Sequence, residues 1–326
     1  MLALSPEELR IFERGVVLAT QRHEQESYRS NGKYTRFFHH CEFSVKYNDH
    51  VLIERECEAL RRLYDVAIKG GATAPHVPRV VHYFNIPNGF GFIVMEQIAV
   101  CEVSDDDLCR QAASAVLWLR EQRMDIFGSL GRTNPCHTVF QGGRAPQPFT
   151  TVEAAQIYLN VVRVSLSCSI FTPACPDFSS TCKALDRVRQ RRQPWMPPIA
   201  DINLRDDTVV LTQSDMDRSN FGVALDGRPV IFDAATIQAL PKTLADFTLL
   251  RTTAFARDVS AHLFKPDEIY VLLMSASFTS LAEVRSYLRV GNDDLGKLNS
   301  ACFSLGADTL PLSSPRCRCK WQRKVY

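Results

Sequence analysis

Residues 213–220 read Gln213-Ser-Asp-Met-Asp-Arg-Ser-Asn220, and the chain continues as Phe221-Gly-Val-Ala-Leu-Asp-Gly-Arg-Pro-Val-Ile-Phe-Asp233. In the second part, apolar residues alternate with small or polar ones up to Asp226-Gly227, and an extended apolar run resumes after this dipeptide. Asp-Gly favours the type I′ turn of a two-residue hairpin loop. We therefore predict a β-hairpin over residues 220–233.

The open end of this hairpin carries polar side chains. A regular hairpin with a type I′ turn places Asn220 opposite Asp233, and directly opposed residues have Cβ atoms about 4.5–5.5 Å apart. An amide and a carboxylate so placed can share one hard cation through oxygen, the ligand type that Mg²⁺ takes. Asp215 lies in the loop that enters the hairpin and can turn back over the same place. The alternative interpretation is an ordinary acidic turn beside a hairpin, without a ligand.

A lysine and a glutamate upstream form a second candidate pair. Within residues 42–47, Phe43, Val45 and Tyr47 share one face of a predicted strand, so Lys46 points to the other face. A helix predicted over about residues 51–68 carries an apolar stripe, and Glu56 falls on it. A carboxylate on an apolar face is costly unless it is paired, which makes Lys46 its natural partner. Alternatively, the stripe is half exposed and Glu56 is solvated.

Composition limits the classes of function. The 326 residues, 45% hydrophobic and 23% charged, can bury a full core in one large or two modest domains. The formal charge of +2 is too small to imply a nucleic-acid partner, and no apolar run is long enough to span a membrane. The eleven cysteines are odd in number and irregularly spaced, and the acidic start does not resemble a signal peptide. These features predict reduced thiols in a cytoplasmic protein.

The pattern of the chain changes from short strands to long helices after residues 95–98. We predict an N-terminal lobe over residues 1–98, a helical C-terminal lobe over 99–295, and a disordered basic tail over 296–326. Further helices are predicted over about residues 6–20, 104–123, 151–167, 178–192, 243–264, 266–277 and 279–290. The scattered acidic residues of the C-terminal lobe are expected to be solvated; they are Asp246, Asp258, Asp267 and Glu268.

Several short segments, in a fixed order, carry a resemblance to a known family. They are Val45-Lys46, residues 56–60, 77–81, 92–96, 127–129, 149–160 and 211–233. Over about residues 34–290 this series resembles the aminoglycoside phosphotransferase/choline kinase-like family, especially its fungal members of unassigned substrate. The resemblance implies an α+β, protein-kinase-like fold of two lobes, with a small antiparallel sheet and one main helix in the first lobe.

The resemblance also implies roles for residues of the predicted site. ATP would lie between the lobes, with its adenine against Met95, Glu96 and Ile98. Lys46, held by Glu56, would contact the phosphates. Asn220 and Asp233 would hold Mg²⁺, and Asp215 would accept or orient the proton of an attacking hydroxyl.

The implied function is an ATP- and Mg²⁺-dependent kinase that transfers the γ-phosphoryl group to a small-molecule hydroxyl. It would act as a monomer or weak dimer, without nucleic-acid or membrane partners. Three departures from the family favour the alternative of a kinase-like pseudoenzyme or nucleotide-binding scaffold: Gln213 replaces a histidine, Ala234-Ala235 follow Asp233, and only Asn31-Gly32 stands for a glycine-rich loop. A third interpretation is a protein that binds an acidic partner through the basic residues 187–192 and the tail.

Overall fold

The computed structural model describes residues 5–29, 36–87, 89–122, 127–131, 134–135, 137, 139–140, 145, 149, 151–167, 201–251, 253–275 and 281. The predicted helix over 178–192, with its basic residues 187–192, lies outside the described residues. So do the predicted tail and all but one residue of the predicted helix over 279–290.

A four-stranded antiparallel sheet organises the first part of the chain, in the order β1-β2-β4-β3. Its strands are β1 (Phe37–His40), β2 (Phe43–Asp49), β3 (Val80–Asn85) and β4 (Phe90–Glu96). Helix α1 (Pro6–Arg29) precedes the sheet, and α2 (His50–Gly70) connects β2 to β3. Asp49 caps α2, since its side chain accepts a hydrogen bond from the backbone N of Val51 at 3.0 Å.

The two faces of this sheet are buried by different helices. Val45 and Tyr47 of β2 pack in one cluster with Val16 of α1. Because side chains alternate along a strand, Lys46 points to the opposite face, where α2 packs against the sheet. Helix α1 extends beyond the predicted residue 20, because its side chains still contact the sheet there: the ring Nδ1 of His23 lies 3.0 Å from the hydroxyl of Tyr47.

The second part of the chain is mainly helical. Its helices are α3 (Asp105–Glu121), α4 (Val152–Ser167), α5 (Lys242–Arg251), α6 (Ala254–Leu263) and α7 (Pro266–Met274). The small sheet β5-β9-β6 and the hairpin β7-β8 lie among them, with strands β5 (Gly128–Ser129), β6 (Val209–Gln213), β7 (Phe221–Val223), β8 (Pro229–Ile231) and β9 (Ile237–Pro241). This arrangement confirms the predicted two-lobed α+β fold. The lobe boundary at residue 98 stays a prediction.

Two sequence predictions for the second part are wrong. The single helix expected over 243–264 is two helices, because the side chain of Thr253 accepts from the backbone N of Ala256 at 3.0 Å and starts α6 anew. Asp246, expected to be solvated, is 1% exposed. Its Oδ1 lies 2.7 Å from a guanidinium nitrogen of Arg120 in α3, and its Oδ2 lies 2.5 Å from Nζ of Lys242 in α5.

The predicted hairpin is present, but its register is shifted by one residue. Phe221 pairs with Ile231, so Asn220 lies opposite Phe232 and not opposite Asp233. The loop has three residues, and of these only Gly227 has a positive φ, at 83°. The predicted type I′ turn is therefore wrong: a type I turn followed by a left-handed glycine closes the hairpin.

Hydrogen bonds on both sides fix this hairpin to segments from the first part of the chain. His76 donates its backbone N–H to the carbonyl of Pro229 at 2.7 Å and accepts from the N–H of Ile231 at 3.0 Å. On the other side, the N–H of Cys101 donates to the carbonyl of Val223 at 2.8 Å. The two strands of the hairpin are thereby held between the segment that precedes β3 and the segment that follows β4.

The helices and the cysteines of the structure bear on two expectations from composition, which concern membrane spans and disulfides. In the described part of the chain, no helix combines the length and the apolar character that crossing a membrane requires. The four described cysteines are free thiols, in agreement with the predicted absence of disulfides among them; they are Cys41, Cys57, Cys101 and Cys109.

Candidate active site

The ammonium of Lys46 joins the sheet, helix α2 and the end of the hairpin. Its Nζ donates to Oε1 of Glu56 at 2.5 Å and to Oδ2 of Asp233 at 3.0 Å. The Lys46–Glu56 pair predicted from the sequence is confirmed. The contact with Asp233 brings together two residues that are 187 positions apart.

Packing of α2 places Glu56 beside Lys46. Its neighbours on the helical stripe, Ile53, Leu60 and Leu63, are each at most 1% exposed, and Glu56 itself is 8% exposed. The alternative of a solvated Glu56 is therefore wrong. A buried carboxylate needs a partner, and the strand lysine supplies one.

Burial and neighbouring charges shift the pKa values of this pair. Burial alone would lower the pKa of Lys46, but attraction to Glu56 and then to Asp233 outweighs it and raises that pKa. For Glu56, burial outweighs the attraction to Lys46 and, together with the charge of Asp233, raises the pKa to about 7. Lys46 thus stays protonated at neutral pH, whereas Glu56 titrates there.

The raised pKa of Glu56 predicts a pH-dependent stability. The pKa of Glu56 is about 7 in the folded chain, above the ordinary value of 4.5. The folded chain therefore binds this proton more tightly than the unfolded chain, and protonation of Glu56 stabilises the fold. This contribution is complete below pH 4.5 and is lost as the pH rises through 7. Relative to Glu56→Gln, we expect the wild-type free energy of unfolding to fall by at most about 3 kcal/mol across this window.

Urea denaturation of both proteins at stepped pH values measures this difference. Glu58→Gln is the matched control, because Glu58 lies on the same helix and is paired with Arg62 away from Lys46. Parallel pH curves for wild type and Glu56→Gln would contradict the raised pKa.

Gln213 organises the loop that carries Asp215. Its side chain is fully buried, and its Nε2 donates to the carbonyl of Asp233 at 2.7 Å. Its Oε1 accepts from the hydroxyl of Thr236 and, at 3.4 Å, from the backbone N–H of Asp215. One amide therefore holds the backbones at both carboxylate positions. The sequence alone identifies Gln213 only as a replacement for histidine, and no local pattern indicates this bridging contact.

Asn220 reinforces the same loop. Its side-chain Nδ2 donates to the backbone carbonyl of Asp215 at 2.9 Å, and its backbone carbonyl accepts from the backbone N–H of Phe232 at 3.0 Å. The side chain of Asp215 is exposed, whereas Asn220 is buried. The structure thus joins Asp215 to Asn220 and to Gln213 through the backbone of the loop, while Lys46 meets Asp233 directly.

The predicted adenine-binding segment spans the end of β4 and the start of the connection to α3. Met95 is buried, whereas Glu96 and Ile98 are each half-buried. Oε1 of Glu96 lies 3.2 Å from Nε2 of His76, and its Oε2 lies 4.0 Å from Nε of Arg79. Sequence reasoning missed these two partners, because no local periodicity relates a side chain at the end of a strand to a residue about twenty positions away.

The donor atoms suit a hard cation only in part. Asp233 and Asn220 both offer oxygen, the ligand that Mg²⁺ prefers, and the amide nitrogen of Asn220 is turned to Asp215. Among the described residues, no group of three or more His, Cys, Asp or Glu side chains could hold a metal ion. A Mg²⁺ ion at this place fits the residues if phosphate oxygens and water complete its ligands, as is usual for this ion.

Comparisons with known proteins give structural likeness without sequence relatives. The sequence matches no protein-family model and no curated protein. Aminoglycoside 2′-phosphotransferase-IIIa in its GDP complex is similar at 14% identity, over 83% of this chain and 89% of that chain, with a TM-score of 0.45. A putative fructosamine-3-kinase from Haemophilus somnus 129PT is similar at 12% identity, over 86% and 94%, with a TM-score of 0.45.

A third similar structure is a thermostable mutant of aminoglycoside phosphotransferase APH(4)-Ia in complex with ADP and hygromycin B. It shares 13% identity over 82% of this chain and 88% of that chain, with a TM-score of 0.44. At these identities and scores the likeness carries no weight for chemistry. The function of this chain has to follow from its own residues.

Proposed function

We propose that this chain is an ATP- and Mg²⁺-dependent phosphotransferase that moves the γ-phosphoryl group to a hydroxyl of a small molecule. One observation carries the proposal: the Lys46 ammonium lies between a helix carboxylate, Glu56, and a hairpin carboxylate, Asp233, at 2.5 Å and 3.0 Å. Kinases use a strand lysine held by a helix glutamate to position nucleotide phosphates, next to an aspartate that binds the metal.

In this proposal, one part of the site binds the base of the nucleotide and another part binds its phosphates. The base would lie against Met95, Glu96 and Ile98, and the phosphates would extend toward Lys46. Asn220 and Asp233 would hold Mg²⁺, which when bound neutralises charge on the phosphate oxygens. Lys46 adds a fixed positive charge, because its raised pKa keeps it protonated through the neutral range.

Asp215 is proposed to orient the acceptor hydroxyl and to take its proton. A positioned carboxylate can do this when its backbone is held in one place. Gln213 and Asn220 hold that backbone at its N–H and at its carbonyl. The exposed side chain of Asp215 remains accessible to an acceptor molecule.

A second candidate function is nucleotide binding without turnover. The observation that favours it concerns Asp233: one carboxylate oxygen accepts from the backbone N–H of Ala235 at 2.8 Å and the other from Lys46. A metal ion must share or displace these contacts before it can bind. Slow or absent transfer would follow if it does not.

Thermal denaturation with ATP, in the presence and absence of Mg²⁺, tests both candidates. We expect ATP to raise the Tm of the wild type, and more so with Mg²⁺, because a ligand at 100 times its Kd stabilises the folded state by about 2.7 kcal/mol. Lys46→Met should lose the shift. Lys69→Met, at the exposed end of α2, should keep it.

Release of ADP across a library of hydroxyl-bearing metabolites then separates the two candidates. Turnover with one acceptor class supports the phosphotransferase. A Tm shift without turnover supports nucleotide binding alone. The absence of any ATP-dependent shift would exclude both.

A further inference from the structure

The hydroxyl of Thr253 makes one hydrogen bond within its own helix and one outside it. Its Oγ1 accepts from the backbone N–H of Ala256 at 3.0 Å, which caps α6. The same hydroxyl donates to the backbone carbonyl of Met216 at 2.9 Å, across 37 positions of the chain. Met216 directly follows Asp215. One side chain therefore connects the start of α6 to the loop that carries Asp215.

Helix α6 gives this contact a firm support. Ala256 and Val259 lie on its buried side, in the same buried cluster as the side chain of Met216. A second contact joins the same parts of the chain: the ring of Phe255 in α6 lies 5.9 Å from the ring of Phe221, the first residue of β7. The first turn of α6 thus touches the chain both just after Asp215 and at the start of the hairpin.

The contact of Thr253 adds a third fixed point to the backbone of the loop. Gln213 binds the N–H of Asp215, Asn220 binds the carbonyl of Asp215, and Thr253 binds the carbonyl of Met216. These groups belong to three consecutive peptide units, each of which is planar and turns as one body. Gln213 and Asn220 come from the same segment as Asp215, whereas Thr253 ties the loop to a separate helix.

Loss of this bond would affect the position of the loop more than the stability of the fold. Thr253 is exposed, so water can replace its hydroxyl as the donor. The exchange of one hydrogen bond for another to water changes the free energy of unfolding only slightly. Water is not part of α6, however, and does not keep the carbonyl in one place. A displacement of about 1 Å in a reacting group can cost about 10²-fold in rate.

We propose that Thr253 is a positioning residue for phosphoryl transfer. It holds the carbonyl of Met216 and thereby the place of the Asp215 side chain. The inference rests on the proposed function and adds to it a residue from outside the loop and the hairpin. Because the nucleotide is bound by other residues in that function, Thr253 governs kcat and leaves the KM for ATP unchanged.

Three substitutions of Thr253 separate its two hydrogen bonds. Thr253→Ser keeps both, Thr253→Val loses both, and Thr253→Asp keeps the cap but cannot donate to Met216. With Mg-ATP and the best acceptor of the metabolite library, we expect kcat for ADP release to fall about tenfold in the Asp and Val variants. The Ser variant should keep the wild-type kcat. The KM for ATP should stay the same in all three, and Tm should fall clearly only in Thr253→Val.

Amide hydrogen exchange tests the hold on the loop independently of activity. Residues 214–219 should exchange faster in Thr253→Asp than in the wild type, while α6 exchanges at the same rate. Ser104→Ala is the matched control for a lost cap, because Oγ of Ser104 accepts from the backbone N–H of Asp107 at 3.1 Å and caps α3. This variant should lower Tm and keep the wild-type kcat.

Each measurement can contradict the inference. An unchanged kcat in Thr253→Asp, or unchanged exchange of residues 214–219, would overturn it. A loss of kcat in Ser104→Ala as large as that in Thr253→Val, with full activity in Thr253→Asp, would assign the effect to helix capping and overturn it as well. A wild type that releases no ADP with any acceptor would instead remove the proposed function, and the inference with it.

Discussion

Asp215→Asn is expected to lower kcat by about 10²–10⁴, the range that a general base contributes, while ATP binding persists. The substitution keeps the size of the side chain but removes the group that would take the proton of the acceptor. The hydrogen bonds from Gln213 and Asn220 use the backbone N–H and carbonyl of Asp215, so asparagine preserves these two bonds. Loss of turnover with retained binding therefore separates a chemical role from a structural one.

The measurement combines steady-state ADP release with the ATP-dependent Tm shift. Asp226→Asn is the matched control, because Asp226 is an exposed carboxylate in the loop at the far end of the same hairpin. We expect that variant to retain wild-type kcat. Full activity in Asp215→Asn would mean that another group takes the proton, and the role proposed for Asp215 would be wrong.

Asp246→Asn is expected to lower the free energy of unfolding by about 3–5 kcal/mol. Asp246 is 1% exposed and pairs with Arg120 at 2.7 Å and with Lys242 at 2.5 Å. Both cations also lie near the ring of Phe264, at 5.7 Å and 5.9 Å from its centroid. Asp246 is the one carboxylate among the described residues that pairs with both cations, so its loss leaves the Arg120 side chain, 11% exposed, beside Lys242 without that partner.

Urea denaturation followed by circular dichroism measures the loss. Asp258→Asn, on the exposed side of α6, should change the free energy of unfolding by no more than about 0.5 kcal/mol. A double variant, Arg120→Met with Asp246→Leu, should recover most of the loss, because apolar side chains of similar size can replace a buried ion pair. Near-wild-type stability in Asp246→Asn would show that the ion pairs of Asp246 with Arg120 and Lys242 contribute little to the packing of α3 against α5.

The predictions that succeeded depend on local periodicity. The alternation of residues 43–47 assigns Lys46 to one face of β2, and the helical stripe around Glu56 assigns that carboxylate to the face of α2 that packs on the sheet. Each pattern repeats within a few residues, so it can be seen without knowing the rest of the chain. The existence of the hairpin follows in the same way.

The predicted hairpin register is wrong because the same dipeptide suits two kinds of loop. Asp226-Gly227 fits both a two-residue and a three-residue hairpin loop. In the longer loop Asp226 accepts from the backbone N–H of Arg228 at 3.1 Å, so the side chain stabilises that loop. With the longer loop, Asn220 lies opposite Phe232 and not directly opposite Asp233.

The periodicity of the sequence determined the faces of β2 and α2 and the Lys46–Glu56 pair, and its resemblance to a known family implied the two-lobed α+β fold. Only the tertiary structure decided that Asp233 meets Lys46, that Gln213 bridges the two carboxylate positions, and that Asp246 is buried between two cations. The physical reason is the range of the interactions. Periodicity records which face an element buries, whereas contacts between distant residues depend on how the elements pack, and no short pattern encodes that.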